Sequence, residues 1–555
     1  MSWLAWFALS AAVQAAVVQE DFSSSRIAPK PASAILFDAK SAPRRIQNPS
    51  IIEGRDGALI AAWSSKGLTG DNHPSDFIQA STSIDGGSTW SNPVTAAPAS
   101  SINPTFLRAA NGDVLLFYNR NHTTLQDDTG ICFRRSRDNG RTWSEDTWVE
   151  TGYRIGIIVH NGIVMRNGEW LIAFQNDRSN QGEPFLVRRT EFVSAVAISK
   201  DEGKSWTVHG ALRIPNLVRF PNTGSWGVEA AVAERKDGSL LMLLRSRAGW
   251  IYRSVSTDQG RTWSEPAPTQ FSNPDSKISL HALADGNLVL LWNDSRVLGT
   301  RYPLLASLSN DGGATWPYSV TLDDDNAQLD YPSIVESRDE LKIVYGHSLK
   351  QVRLIALREA DLKQRWTAIN GRDSWIVSDG ALHVEDRGTV ENASDWLRWS
   401  RLFTSEIAPG STIEIDLRFD GEQEPSGGAI AVFPFYQDEA NWTAWVCQPS
   451  EGKLGFEQEE HFGTAKLGNY SRQLSATYFE SFRPEPFRWY TVRIQREDSA
   501  LHWELRDRGN PRVLIEARNP IRAEGNFLAL GARNVKASFD NLRVYGGPKS
   551  TKASQ

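Results

Sequence analysis

Cysteine is almost missing from this sequence. Cys132 and Cys447 are the only two in 555 residues and lie far apart, which excludes a disulfide framework and any cysteine-built metal centre. Charge of one sign is also lacking, with 60 basic against 66 acidic residues and a net charge of -6. That balance argues against a nucleic-acid or acidic-membrane binder working by bulk charge. Long apolar runs are absent except at residues 3–16 (WLAWFALSAAVQAA), a stretch too short to span a bilayer. It reads as a signal peptide over residues 1–16, with Val13 and Ala15 before the cut, and a secreted or periplasmic (extracellular) location is expected. No transmembrane segment follows it, and no Pro-rich or Gly/Ser linker divides the remainder. GxSxG, HExxH, Walker and dinucleotide-binding patterns are missing, and the nine histidines do not fall at metal-ligand spacings, so no cofactor is implied. What the sequence has in excess is tryptophan, 21 residues against three methionines.

The tryptophans recur in an octapeptide. SIDGGSTW begins at Ser83, SRDNGRTW at Ser136, SKDEGKSW at Ser199, STDQGRTW at Ser256 and SNDGGATW at Ser309. In this Ser-x-Asp-x-Gly-x-Thr/Ser-Trp pattern the Asp can bond amides of its own turn and the Gly permits positive φ. The Thr or Ser hydroxyl closes the turn, and the Trp folds back as an apolar plug. A second repeat runs in phase: DGALIAAW from Asp56, NGDVLLFY from Asn111, NGEWLIAF from Asn167, DGSLLMLL from Asp237 and DGNLVLLW from Asp285, with a degenerate DELKIVYG from Asp339. Turn-bounded apolar strands of this length suit sheets covered on both faces. Six strand repeats and five octapeptides predict a six-bladed β-propeller of four-stranded blades, closed by the segment around Ile35 to Ala39.

The octapeptides are Asp-boxes, and through them residues 27–357 resemble the sialidase (neuraminidase) superfamily. The boxes mark the fold, so function must rest on other residues. The resemblance implies three arginines holding a substrate carboxylate, a Tyr nucleophile with a Glu as its base, and an Asp as acid/base. A tyrosine hydroxyl suits a sugar whose anomeric carbon bears a carboxylate, because an anionic nucleophile would meet like charge. Residue by residue, Glu229 precedes the strand that ends on Arg245, which supplies the base and one arginine. Arg301 leads into the last Asp-box, with Arg296 as a rival, and Tyr331 in LDYPSIVE stands as the nucleophile. The family's Arg-Ile-Pro is altered here to PRRIQNPSII, where Arg45 is the expected first arginine and Arg44 the alternative. The acid is expected at Asp71 in KGLTGDNHPSDFIQ, with Asp76 as its rival and His73 as a solvated turn residue or subsite contact.

Beyond residue 366 the Asp-boxes stop and alternating strands take over. TIEIDLRF from Thr412 places Ile413, Ile415, Leu417 and Phe419 on one face, the period-two signature of an antiparallel β-sandwich. A Trp375–Val384 opening and a closing strand at Phe539–Tyr545 resemble concanavalin-like (laminin-G-type) jelly rolls. Phe435, Tyr436, Trp442 and Trp445 suggest either a sugar-stacking platform or packing. The fold expected is therefore all-β, a six-bladed β-propeller followed by an antiparallel β-sandwich (jelly roll). Its parts are a signal peptide (1–16), the propeller (20–362), the sandwich (363–547) and a tail (548–555).

The resemblance implies an exo-α-sialidase-type glycoside hydrolase, retaining at the anomeric carbon. Its partner would be a glycan with a terminal acidic sugar, without nucleic acid, and the protein would be a monomer. A propeller hydrolase or lyase acting on another acidic sugar, such as a uronate, is the alternative in chemistry. A non-catalytic carbohydrate-binding protein is the alternative in class.

Overall fold

A computed structural model of the chain describes residues 16–20, 30–39, 43–67, 73–121, 129–153, 158–177, 192–214, 225–295, 299–316 and 318–363 of the N-terminal part. Of the C-terminal part it describes 367–369, 375–378, 381–386, 400–406, 410–421, 428–438, 441–448, 453–461, 472–479, 482–497, 500–521, 527–533 and 535–545. The signal-peptide segment ahead of Ala16 and the tail from 548 lie outside these residues.

Six four-stranded antiparallel sheets follow one another along the chain as the blades of a propeller. In blades 1 to 6 the inner strands are Arg45–Glu53, Ser101–Arg108, Ile158–Val164, Val228–Glu234, Ser279–Ala282 and Leu329–Ser337. Each touches the inner strands on both sides, and blade 6 meets blade 1. Ring closure comes from Ser33–Asp38, which pairs with Gln351–Leu357 as the outermost strand of blade 6. The second strand of each blade is apolar on both faces because neighbouring blades cover both. Leu240–Arg245, for instance, is buried at every position. Burying one such Leu or Ile stabilises the fold by about 1.5–3 kcal/mol, so the ring is held by many equivalent contacts.

The Asp-boxes join blades as well as strands. In the blade 2 box, Asp138 Oδ1 accepts from the Thr142 amide at 2.9 Å and from the Ser136 hydroxyl at 2.9 Å, while Asp138 Oδ2 accepts from the Thr142 hydroxyl at 2.6 Å. The same bonds recur around Asp85, Asp201, Asp258 and Asp311. Gly313, at φ 84°, shows why glycine is needed. A Cβ there would lie 2.6 Å from Cδ2 of Leu241 on the preceding blade. Gly87 of the first box meets Leu354 of blade 6 in the same way and so locks the closure.

The C-terminal strands form two further antiparallel sheets of seven strands each, and Ala16–Glu20 adds an eighth to one of them. Ile413, Ile415, Leu417 and Phe419 face a core shared with Ile430, Val432, Trp445, Trp503 and Leu530. Trp445 is therefore a core residue, its ring edge-on to Trp503 at 6.2 Å, and takes no part in a surface platform. The side chains of Phe435, Tyr436 and Trp442 lie outside the described residues. Ala16–Glu20 crosses over to pair with Val535–Tyr545, the last strand of the eight-stranded sheet. The seven-stranded sheet is apolar on both faces. Ala429, Ala431, Phe433, Ala444, Val446 and Ala529 pack outward against Leu241, Leu290 and Trp316 of blades 4 and 5. Among the described residues no helix is long and apolar enough to cross a membrane.

Candidate active site

Four of the six inner strands share one form of break in register. Two residues oppose one at Asn48-Pro49, Asn103-Pro104, Glu229-Ala230 and Tyr331-Pro332. Asn48, Asn103, Glu229 and Tyr331 all take positive φ, between 47° and 58°. Such a β-bulge re-aims a side chain that a regular strand would point into a neighbouring blade. Each of these residues stands eight positions before the Asp or Asn that opens its blade's turn repeat. In blades 3 and 5 the same count reaches Val159 and Lys277. Six strands thus offer one equivalent place each, and three consecutive blades fill theirs with Glu229, Lys277 and Tyr331.

Glu229 and Tyr331 meet across the ring. The tyrosine hydroxyl donates to Glu229 Oε1 at 3.1 Å. Arg245 pairs through Nη1 with Glu229 and through Nε with Asp275 Oδ1 at 2.7 Å. Arg247 closes on the other Asp275 oxygen at 2.9 Å and stacks on the Trp226 ring at 3.4 Å. Arg301 lies 5.4 Å from the centre of the Tyr331 ring, and its Nη1 reaches Asp330 at 3.4 Å. Asp330 is wholly buried and also accepts from Gln47 at 3.3 Å and Gln328 at 3.0 Å. His160 sits beside this group with Nε2 3.2 Å from Gln175 Oε1, and Gln175 Oε1 also accepts from the Glu229 amide at 3.0 Å.

These contacts set the protonation states. Burial raises the Tyr331 hydroxyl, and the Glu229 charge raises it further, so the phenol stays neutral at any working pH. Burial also opposes ionisation of Glu229, but Arg245, His160 and Lys277 outweigh it and hold the carboxyl at about 2. Asp275, desolvated but faced by Arg245 and Arg247, is likewise held at about 2. Asp330 goes the other way: burial lifts its carboxyl despite the pull of Arg301, Gln47 and Gln328. Burial drives the His160 imidazole down to about 3, so it is neutral.

A pH prediction follows from the two depressed groups. In the unfolded chain Glu229 and Asp275 take up protons near their ordinary 4.5 and 3.8, whereas the folded site resists until about 2. Their contribution to stability is therefore complete above about pH 5 and drains away as the pH falls toward 2. Thermal melting between pH 7 and 2 should show this decline, and Glu229→Gln should flatten part of it.

The other expected residues fall as follows. Arg45 directs Nε to the Gly67 carbonyl at 2.9 Å. Pro49 shares the strand place of Pro104 and Pro332, so the arginine of an Arg-Ile-Pro sequence would fall on Gln47 and not on Arg45. Arg44 clips a loop, donating to the carbonyls of Ser65 at 2.6 Å and Ser75 at 2.7 Å. Asp76 is buried, and its two oxygens accept from the amides of Gly67 at 2.8 Å and His73 at 2.9 Å, a turn-closing use of a carboxylate. The His73 ring Nδ1 lies 2.8 Å from the Ser75 hydroxyl oxygen. Asp71 and Arg296 lie outside the described residues.

Sequence reasoning passed over Gln47, His160, Asp275, Lys277 and Asp330. The fixed count of eight back from the turn would have singled out Lys277 and put Asp330 and Gln47 one place earlier. Asp275 carries no comparable signal. Asp323, Asp325 and His347 also converge, with ligand atoms within 4.8 Å of one another. Arg353 pairs with both carboxylates, at 3.4 and 3.1 Å, and Lys30 lies 3.5 and 3.6 Å from them, so the cluster is an ion-pair network among its own side chains.

Comparison with known proteins shows the family of the chain. A sialidase of Bacteroides fragilis is 25% identical over 261 residues, covering 44% of this chain and 43% of the relative. A sialidase of Paraclostridium sordellii is 29% identical over 251 residues, covering 39% of this chain and 56% of the relative. The match thus spans about half the length of these curated relatives. The solved structure of Hadza microbial sialidase Hz136 superposes with a TM-score of 0.51 at 22% identity, covering 60% of this chain and 69% of that one, a likeness of fold. The family described as BNR repeat-like domain matches residues 57–343, more than half of the sequence, and the chain belongs to it.

Proposed function

We propose that the protein is a sialidase-type glycoside hydrolase, releasing a terminal sialic (nonulosonic) acid from glycans with retention at the anomeric carbon. One observation carries this reading: a neutral tyrosine hydroxyl hydrogen-bonded to an ionised glutamate, with two arginines in contact with the pair. The Tyr331 oxygen attacks the anomeric carbon as its proton passes to Glu229, and Asp71 protonates the departing glycosidic oxygen. Water, deprotonated by Asp71, then attacks the anomeric carbon from the face the aglycone left, and the departing Tyr331 oxygen takes its proton back from Glu229. Arg245 and Arg301 hold the substrate carboxylate; Arg45, the third arginine the resemblance assigns, lies two residues before Gln47, which occupies the strand place of the Arg-Ile-Pro arginine. A carboxyl held at about 2 is a weak base at rest. In this scheme the incoming carboxylate draws Arg245 away from Glu229 and so strengthens the base when it is needed. The same reading assigns the sandwich to concanavalin-like (laminin-G-type) folds, supported by the opening pair Trp375–Ser378 and Ala381–Asp386 beside the closing strand.

A second reading is favoured by Gln47. With glutamine in the strand place of the Arg-Ile-Pro arginine, a substrate whose carboxylate lies away from the anomeric carbon fits as well. The test is release of 4-methylumbelliferone from its α-N-acetylneuraminide and its β-glucuronide by wild-type protein, with the anomer formed first read by proton NMR. Rapid release of α-N-acetylneuraminic acid supports the first reading. Cleavage of the glucuronide alone overturns the first reading in favour of the second.

A further inference from the structure

The cations around Tyr331 are not equivalent. Arg245 is spent on Glu229 and Asp275, Arg247 on Asp275 and the Trp226 ring, and Arg301 on Asp330. Lys277 differs. Among the described residues its ammonium has no hydrogen bond or ion pair, and its nearest ring contact is Tyr331, with Nζ 5.8 Å from the ring centre. The side chain lines the central channel, a space of about 770 Å³, together with His160 and Pro332. By the count of eight it occupies on blade 5 the place that Glu229 and Tyr331 occupy on the blades to either side. Burial lowers its pKa and the Glu229 charge works against that, while among the described residues no carboxylate hydrogen-bonds or ion-pairs with it. A compact ammonium with three free donors is suited to an anionic group that arrives and leaves.

We propose that Lys277 is a further reader of the carboxylate of an acidic sugar in this site, approaching it from the channel side and adding to the hold of Arg245 and Arg301. The proposal rests on the reading of the Tyr331 site as a sugar site, and it assigns the substrate class as acidic sugars through a contact of this chain's own. Two sources offer that chemistry, a carboxylate on the anomeric carbon or one at the far end of a uronate. Isothermal titration with N-acetylneuraminate, D-glucuronate and their methyl esters distinguishes them.

Wild-type protein should bind at least one acid more tightly than its ester. Lys277→Gln should weaken that acid about ten- to hundredfold while leaving the ester unchanged. Lys277→Arg, which keeps the charge, should retain most of the affinity, and melting curves of both variants check that the fold survives. The acid that loses affinity identifies the source. A Lys277→Gln protein that binds acids like wild type overturns the proposal, and so does wild type with no preference for acid over ester. Lys277-dependent binding in a protein that hydrolyses neither glycoside keeps the proposal and removes the hydrolase reading instead.

Discussion

Tyr331→Phe is expected to lower kcat on the order of 10³-fold or more, with substrate affinity changed only a fewfold. The phenyl ring keeps its burial and its place beside Arg301, 5.4 Å from the ring centre, so the site keeps its shape. What disappears is the oxygen that forms the covalent bond, together with the donor to Glu229 Oε1. Glu229 stays ionised through Arg245, so the variant retains base and clamp but has no nucleophile. Single-turnover kinetics on the α-N-acetylneuraminide and a direct binding measurement separate the two effects. A variant with kcat within tenfold of wild type would place the nucleophile elsewhere. Equal losses in affinity and kcat would mark Tyr331 as a binding residue.

Arg245→Met should have the largest effect on stability, about 3–5 kcal/mol. Arg245 is nine-tenths buried and bridges two carboxylates, so its removal leaves Glu229 and Asp275 ionised, desolvated and near each other. Their pKa values must then rise from about 2, and the site gains neutral carboxyls in place of ion pairs. Arg245→Lys should recover only part of the loss, since one point charge cannot fork between two partners. Urea denaturation of the three proteins at pH 7 measures this. A cost below about 1 kcal/mol would mean that water already screens the cluster.

The propeller was legible in the sequence because each Asp-box satisfies its own backbone within eight residues. Ser83, Asp85 and Thr89 bond one another, and no distant partner is needed to specify the turn. The apolar second strands were legible for the complementary reason, being covered on both faces by blades of the same design. Glu229, Arg245, Arg301 and Tyr331 could be picked out because each lies near a repeat of known phase. Asp275 and Asp330 could not, since a carboxylate in a loop or beside a tyrosine looks like a turn former until the arginine across the ring is seen. Arg45 and Gln47 show the same limit at close range. They lie two residues apart on one strand in regular register, and only the partners across the ring show that Gln47 reaches Asp330 while Arg45 turns to the Gly67 carbonyl. Trp445 was ambiguous for another reason: an aromatic on an alternating strand faces either core or solvent, and the pairing partner settles which.

The outward face of the seven-stranded sheet changes what the sandwich can do for the propeller. A module on a flexible tether raises the local concentration of whatever it captures and lets it search for the catalytic centre. Here Ala429, Ala431, Phe433, Ala444 and Val446 are sealed against blades 4 and 5, so the sandwich has no tether to swing on. A buried apolar seal of this kind favours a stiff joint over a hinge. The assembly behaves as a jig. Any glycan gripped by the sandwich would be presented at one fixed reach and angle, selecting chains by length and bend rather than enriching them. The same seal ties the halves together when they melt, because separating them would bare an apolar wall on each.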